Sequence, residues 1–172
     1  MPDRLMAIAA DVARKSGHEY VATEHILLAL LTEESSIGTR VFRALGVPPE
    51  RVREEVDKVV PAGFGKTRAK QLPFTPRAKK CIDRAAEEAK RLGFASVSSA
   101  HVLLGLVSEE EGVAAHVVLN LGLKLEDVRR TTLDQLIRRD EGRDTKIDDR
   151  GSCPHRARKP ASKRAAPRKR SR

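Results

Sequence analysis

The amino-acid sequence repeats itself at an offset of 76 residues, and this repeat constrains the fold more than any other feature. The offset aligns Gly17 with Gly93 and His25 with His101 without a gap. Across the 40 aligned positions that start at these two glycines, 14 residues are identical. Self-similarity at a fixed offset indicates a duplicated structural unit, so the chain contains two copies of one unit.

Hydrophobic periodicity predicts four helices in each unit. The first, over 4–15 and 76–92, carries apolar residues at helical spacing and ends before a glycine. The second starts at Thr23 or Ser99, each interpreted as an N-cap, and is apolar nearly all round, as buried helices are. A short third helix ends at a glycine, and the fourth is rich in charge. The predicted fold class is all-α: a tandem repeat of two four-helix units packed as one pseudo-symmetric domain, followed by a disordered basic tail.

The chain is predicted to divide into four parts: unit one at 1–60, a linker at 61–73, unit two at 74–139 and the tail at 140–172. The linker is predicted from its two prolines, two glycines and three basic residues. Beyond residue 139 the only large aliphatic residue is Ile147. Such a tail buries too little apolar surface to offset the entropy lost on ordering it, so it is expected to be disordered.

The net charge of +10 is concentrated in the tail. Nine of the 34 basic residues and no acidic residue lie in 151–172, which leaves 25 basic and 24 acidic groups elsewhere. The nine are Arg156, Arg158, Lys159, Lys163, Arg164, Arg168, Lys169, Arg170 and Arg172. A basic tail suits non-specific contact with nucleic acid or an acidic partner. Aromatic residues are only 3% of the chain, which argues against a stacking platform for single-stranded nucleic acid.

The expected location is the cytoplasm. The longest apolar run, residues 26–31, is much shorter than the ~20 residues that a membrane-spanning helix needs. No signal peptide is recognisable at the N-terminus. The two cysteines, Cys81 and Cys153, lie in regions of different composition and are interpreted as reduced thiols.

Two patterns imitate functional sites without completing them. Residues 65–67, Gly-Lys-Thr, match the end of a phosphate-binding loop, but Val60 stands where the first glycine is required. Cys153 and His155 offer two metal ligands where three or four are needed. The sequence therefore predicts no catalytic residue, no metal site and no cofactor.

The remaining candidate residues have structural interpretations. His25 and His101 are expected to bond locally in the first turn of a buried helix and to fix where it begins. Cys81 is expected to pack in the core. The acidic groups at 33–34 and 109–111 are expected to be solvated charge in loops.

Several segments carry a resemblance to a known family. They are residues 22–31 (ATEHILLALL), 74–80 (FTPRAKK), 87–93 (EEAKRLG), 101–106 (HVLLGL) and 110–115 (EEGVAA). Over about residues 1–139 the chain resembles the amino-terminal domain of the Clp/Hsp100 unfoldases, a double repeat of four-helix units. The ATPase modules of such unfoldases have no counterpart in this sequence. The resemblance implies a non-catalytic protein-binding module, an adaptor, decoy or regulator whose partners are a Clp unfoldase, its clients or other adaptors.

Two alternative functions remain open at this stage. One is a nucleic-acid-associated protein that binds through its tail and uses the repeat as a scaffold. The other is a fragment of a Clp unfoldase.

The resemblance also implies a ligand. In similar unfoldases the glutamate of the Thr-Glu-His segment binds the guanidinium group of phosphorylated arginine on clients, and the phosphate lies near the threonine of the Phe-Thr segment. The matching residues here are Glu24 and Thr75. Ala100 aligns with Glu24 in unit two, and the residue that would align with Thr75 falls before the chain starts. Each unit is therefore expected to carry half of the ligand-binding residues. A carboxylate in the first turn of a helix also stabilises the helix dipole, which is the structural alternative for Glu24.

Overall fold

The computed structural model describes residues 2–32, 35–63 and 71–144, which form eight α-helices. In chain order these are α1 Pro2–Lys15, α2 Thr23–Leu30, α3 Ile37–Ala44, α4 Pro49–Val59, α5 Pro76–Arg91, α6 Ser99–Ser108, α7 Val113–Asn120 and α8 Leu125–Asp144. The described residues contain no strand, only a single parallel bridge between Val21 and Phe74. The all-α prediction, with four helices in each unit, is confirmed. The domain boundaries stay a prediction, and α8 continues five residues past position 139.

The ends of the helices repeat as the sequence does. The four glycines predicted to end helices, Gly17, Gly46, Gly93 and Gly122, all have φ between 75° and 79°. Glycine adopts this left-handed conformation without strain, and it closes the last turn of a helix there. The chain therefore leaves its first and third helices in the same way in both units.

The predicted N-caps of the second helices are wrong by one residue. Ala22 and Ser98 are the N-caps, and Thr23 and Ser99 are the first helical residues. The hydroxyl of Thr23 accepts a hydrogen bond from the backbone of α7 and does not cap its own helix. The N-cap amide group is instead satisfied by the histidine three residues along, as described below.

The two units interlock. The central helices α2 and α6 pack on each other, and each also packs on the third helix of the other unit, α7 and α3 respectively. In the same crossed manner α4 packs on α7, and α8 packs on α3. Every residue of α2 except Leu28 is buried, and α6 is buried from Ala100 to Val107. The prediction of buried central helices is confirmed, and the core is continuous across both units.

Helices α5 and α6 approach most closely at Gly105. A Cβ atom added to Gly105 would lie 2.4 Å from the carbonyl oxygen of Cys81 and 2.8 Å from the backbone nitrogen of Ala85. Both are backbone atoms, so the clash cannot be relieved by turning a side chain. Unit one has Ala29 at the corresponding position of α2. Cys81 and Ala85 are completely buried at this contact, which confirms the predicted core position of Cys81.

We predict that Gly105→Ala destabilises the protein by about 1–3 kcal/mol, because the two helices must separate. Urea denaturation at neutral pH measures the change. In a helix without this contact the same substitution would stabilise by up to ~1 kcal/mol, so the sign decides the outcome. Ala29→Gly is the matched control, with an expected loss of about 1 kcal/mol from helix propensity. A stabilised Gly105→Ala protein would show that the helices are not held at this distance.

Candidate functional site

The bridge between Val21 and Phe74 brings the starts of two helices together. The Val21 N–H donates to the carbonyl oxygen of Pro73 at 2.8 Å, and the Thr75 N–H donates to the carbonyl oxygen of Val21 at 2.9 Å. The bridge is parallel, and α2 and α5 begin two residues beyond its two members, at Thr23 and Pro76. The two helices therefore start side by side.

The start of α7 completes this arrangement. The backbone N–H of Ala114 donates to Oγ1 of Thr23 at 3.3 Å. A Cβ atom added to Gly112, the N-cap of α7, would lie 3.2 Å from the same oxygen, so the two segments are in close contact. We call the converging starts of α2, α5 and α7 the bridge junction. Helix N-termini carry partial positive charge and free N–H groups, so the junction favours negative charge.

Glu24, in the first turn of α2, is buried at this junction. Its side chain is 3% exposed, and its Oε2 atom has no hydrogen-bond partner among the described residues. Burial raises the pKa of Glu24, against the opposing effects of its own backbone N–H, His18 and Thr23. Its Oε1 lies 3.8 Å from Nδ1 of His25, but that nitrogen already accepts a backbone hydrogen bond. Glu24 is therefore a buried carboxyl group with unused acceptor capacity, not half of an ion pair.

Thr75, the second residue implied as a ligand, lies at the same junction. It is the N-cap of α5, and its Oγ1 accepts a hydrogen bond from the Ala78 N–H at 3.2 Å. Because Thr75 is bonded to Val21, it lies about one helical turn along the chain from Glu24. The sequence comparison assigned Glu24 and Thr75 to half-sites of different units. The bridge crosses between the units and places both residues at one junction.

The prediction that residues 109–111 are solvated is wrong for Glu109. Its side chain is only 2% exposed, and its carboxylate lies 3.2–3.7 Å from the side-chain nitrogens of Arg77, Lys80 and Arg84. Arg77 also pairs with Glu111 at 2.8 Å. The three cations are spaced by three and four residues, so they lie on one face of α5. That spacing was the available sequence signal for a buried anionic partner.

A chain of hydrogen bonds through two histidines fixes unit one. The backbone N–H of Ala22 donates to Nδ1 of His25 at 2.9 Å, so His25 carries its proton on Nε2. That proton is directed at Nδ1 of His18, 2.8 Å away. His18 then carries its proton on Nε2 and donates to the carbonyl oxygen of Pro61 at 3.2 Å. Both histidines are thus neutral, and the chain attaches the residues after α4 to the start of α2.

Unit two keeps only the first bond of this chain. Nδ1 of His101 accepts from the backbone N–H of Ser98 at 2.9 Å, which repeats the contact of His25. Both histidines therefore bond locally and fix the start of their helix, as predicted. Phe94 replaces His18, with its ring centroid 4.9 Å from that of His101. The Nε2 of His101 consequently has no hydrogen-bond partner among the described residues.

The other candidates do not add to the junction. Burial raises the pKa of the Cys81 thiol to about 12, with a further contribution from Glu109, so it stays protonated at neutral pH. No group of three or more potential metal ligands occurs in the described part of the chain. The Gly-Lys-Thr segment at 65–67, the acidic pair at 33–34, Cys153, His155 and the nine basic tail residues lie outside the described residues.

We predict that His18→Phe destabilises the protein by about 1–3 kcal/mol, because it leaves a buried N–H of His25 and the carbonyl of Pro61 without partners. The matched control is the reverse exchange in unit two, Phe94→His, which offers His101 a partner. Its free energy of unfolding should be unchanged or higher. Urea denaturation of both variants at pH 7.5 gives the comparison, and equal losses in the two would contradict the asymmetry described here.

The free energy of unfolding should fall by about 2 kcal/mol between pH 7 and pH 5 through His25 alone. Burial, followed by the charge of His18, lowers the pKa of His25 from 6.5 to about 4. Between these values the unfolded chain binds the proton and the folded chain does not, so acid favours unfolding. The raised pKa of Glu24 acts in the opposite direction, because the folded state retains that proton. Glu24→Gln should therefore make the fall steeper, and a flat profile in that variant would refute the assignment.

Comparison with known proteins places this fold and junction in context. None of the described helices has the length and apolar character required to cross a membrane. Residues 3–121 match the family described as the Clp repeat (R) N-terminal domain. Over 133 residues the chain is 39% identical to the chaperone protein ClpB of Oceanobacillus iheyensis and 40% identical to the negative regulator of genetic competence ClpC/MecB of Bacillus subtilis. These alignments cover 77% of this chain but 16% of each relative.

Solved structures of similar fold are also amino-terminal domains. The N-terminal domain of the caseinolytic protease associated chaperone ClpD from Arabidopsis thaliana matches with a TM-score of 0.62 and 21% identity, over 78% of this chain and 93% of that one. The Hsp104 N-terminal domain from Candida albicans matches with a TM-score of 0.67 and 11% identity, over 78% and 87%. At these identities the likeness concerns the fold alone. The family match covers more than half of the chain, and together with the duplicated helical unit it shows that this protein belongs to the Clp repeat N-terminal domain family.

Proposed function

We propose that this chain is a non-catalytic protein-binding module that acts as an adaptor, decoy or regulator in Clp-dependent protein unfolding and degradation. Its partners are a Clp unfoldase, clients of that unfoldase or other adaptors, and it acts in the cytoplasm. Membership of the Clp repeat family supports the proposal, as does the absence of a counterpart to the relatives' remaining length: the chain spans about one sixth of ClpB and ClpC/MecB.

The observation that carries the binding role is Glu24. The fold does not require a carboxylate there, because the corresponding residue of unit two is Ala100, which is equally buried at 2% exposure. A buried carboxyl group with an oxygen that lacks a partner lowers stability unless something donates to it. A guanidinium or ammonium group of a bound protein would supply those donors. We therefore assign Glu24 to ligand recognition.

Thr75 and the cations of α5 are suited to the other end of such a ligand. The start of α5 presents the Thr75 hydroxyl, and Arg77 and Lys80 are about half exposed nearby. A phosphate attached to the guanidinium group would find both a helix N-terminus and cations. Glu24 and Thr75 are accordingly our candidate residues for a client, or for phosphorylated arginine on a client.

The absence of catalysis is supported by what holds the reactive side chains. The thiol of Cys81 is buried and protonated, and the ring nitrogens of His18 and His25 are engaged in fixed hydrogen bonds. A nucleophile needs a base within hydrogen-bonding reach. Neither histidine has a nitrogen to spare for that role.

Affinity capture from the native cytoplasm tests the proposal. The full chain, immobilised, should retain a Clp unfoldase, its clients or its adaptors at physiological salt, and the Glu24→Gln chain should retain fewer clients. Glu19→Gln, at an exposed glutamate just before the bridge, is the control. Capture of ribosomes or nucleic acid alone, released by moderate salt, would instead favour the alternative of a tail-dependent nucleic-acid protein.

Free phosphoarginine should bind weakly or not at all, because Glu24 is buried and the nearby cations are already paired with Glu109 and Glu111. Any residual binding should be lost in Glu24→Gln and kept in Glu19→Gln. Isothermal titration calorimetry of the three proteins measures this. Tight binding that survives Glu24→Gln would show that the family's ligand residues do not transfer to this chain.

A further inference from the structure

The pseudo-symmetry of the fold relates Val21 to Val97, but only Val21 is covered. The backbone N–H and C=O of Val21 are both bonded to the segment 73–75, and its side chain is completely buried. Val97 stands at the same place before α6. Its N–H and C=O make no hydrogen bond to any described residue, and its side chain is only partly buried.

The surroundings of Val97 are otherwise built as those of Val21 are. Helix α6 packs beside α1 as α2 packs beside α5, and α6 packs on α3 as α2 packs on α7. The helices that form the walls of the bridge junction therefore have counterparts here. The described residues provide no segment that plays the part of 73–75. We call Val97 with Phe94 and Ala100 the open slot.

The open slot is apolar where the bridge junction is polar. Phe94 stands in place of His18, and Ala100 in place of Glu24. On the neighbouring helix, Ile8 corresponds to Arg84, one of the cations around Glu109. Phe94 and Val97 are partly exposed and pack against the edge of the core. An uncharged, apolar occupant fits this chemistry, whereas a phosphorylated or acidic one does not.

We propose that the open slot binds an extended apolar segment of a client protein, which adds to Val97 as a parallel bridge. The occupant is defined by the geometry at Val21. The carbonyl of the residue before its apolar side chain accepts from the Val97 N–H, and the N–H of the residue after it donates to the Val97 carbonyl. Unfolded proteins expose such segments with their backbone groups unpaired. The inference rests on the proposed function for the source of the segment, and it names the class of client that is bound.

The probe is a capped peptide with the sequence of residues 71–78, Gln-Leu-Pro-Phe-Thr-Pro-Arg-Ala, which makes this bridge at Val21 in the folded protein. It is titrated into the full chain labelled with nitrogen-15. The amide resonance of Val97 should shift, and its hydrogen exchange should slow at least tenfold at saturation. The amide of Val21 should not change. An unaffected Val97 amide would overturn the proposal.

Two altered peptides and two protein variants test the mode of binding. N-methylation of the threonine removes the donor to Val97 and should weaken binding about tenfold, since one hydrogen bond to the slot is lost. Phe→Asp in the peptide should abolish binding. In the protein, Val97→Asp should abolish binding, whereas Leu119→Asp, at an exposed apolar residue of α7, should not. Thermal denaturation checks that both variants fold. If the N-methylated peptide binds as well as the parent, the bridge is refuted whatever Val97→Asp does.

Other occupants give distinct results. Protection of the Val97 amide in the free protein at all concentrations would mean that the chain covers its own slot, and protection that grows with protein concentration would mean that a second copy does. Either result overturns the proposal. Capture of Clp components together with an unresponsive Val97 amide refutes the slot but not the proposed function. A responsive Val97 amide without such capture leaves the slot and refutes the function.

Discussion

The pairing of Val21 with residues 73–75 is the contact on which the rest of the architecture depends. Each of its two hydrogen bonds contributes only about 1 kcal/mol in net terms. Its importance is geometric, because it joins the residues before α2 to the residues before α5 and so aligns the starts of the two helices. The Thr23 hydroxyl, held at the first residue of α2, then bonds to the start of α7. One backbone bridge thereby sets the position of three helix N-termini.

The histidine chain explains why this arrangement is firmly held in unit one. Ala22, His25, His18 and Pro61 form a continuous set of donors and acceptors, all of them satisfied and all neutral. Gly63 follows at once, and its N–H donates to the carbonyl of Ser16 at 2.8 Å. Burial of a polar network stabilises a single arrangement only when each member has its partner. Unit two, with Phe94 in place of His18, relies on apolar contact instead.

Much of the fold follows from the sequence, because helices leave local signals. The repeat, the glycines at helix ends and the apolar character of α2 and α6 predict the number of helices and which ones are buried. The prediction of N-caps was wrong by one residue, because Thr23 bonds to another helix, and no local pattern reports such a contact. Glu109 was misassigned for a related reason: its partners Arg77, Lys80 and Arg84 lie more than 20 residues away along the chain.

The candidate site illustrates the same limit more sharply. An alignment of one unit with the other reports which positions are equivalent, but it says nothing about which unit supplies the neighbour of each position. The units interlock, so Glu24 of unit one lies near Thr75 of unit two, and the two apparent half-sites meet at one junction. Sequence alone identified both residues and missed their proximity.

The electrostatics of the bridge junction show why its carboxylates differ. Three helix N-termini and the cations of α5 together favour negative charge, and Glu109 meets that need, since it is surrounded by Arg77, Lys80 and Arg84. Glu24 is buried only a short way off without a cation of its own, and burial raises its pKa. A bound cationic group would restore the charged form of Glu24. An anionic group would have to compete with Glu109 for the same three side chains. The junction is therefore better prepared for the cationic part of a ligand than for the anionic part, and this ordering follows from which carboxylate already has its partners.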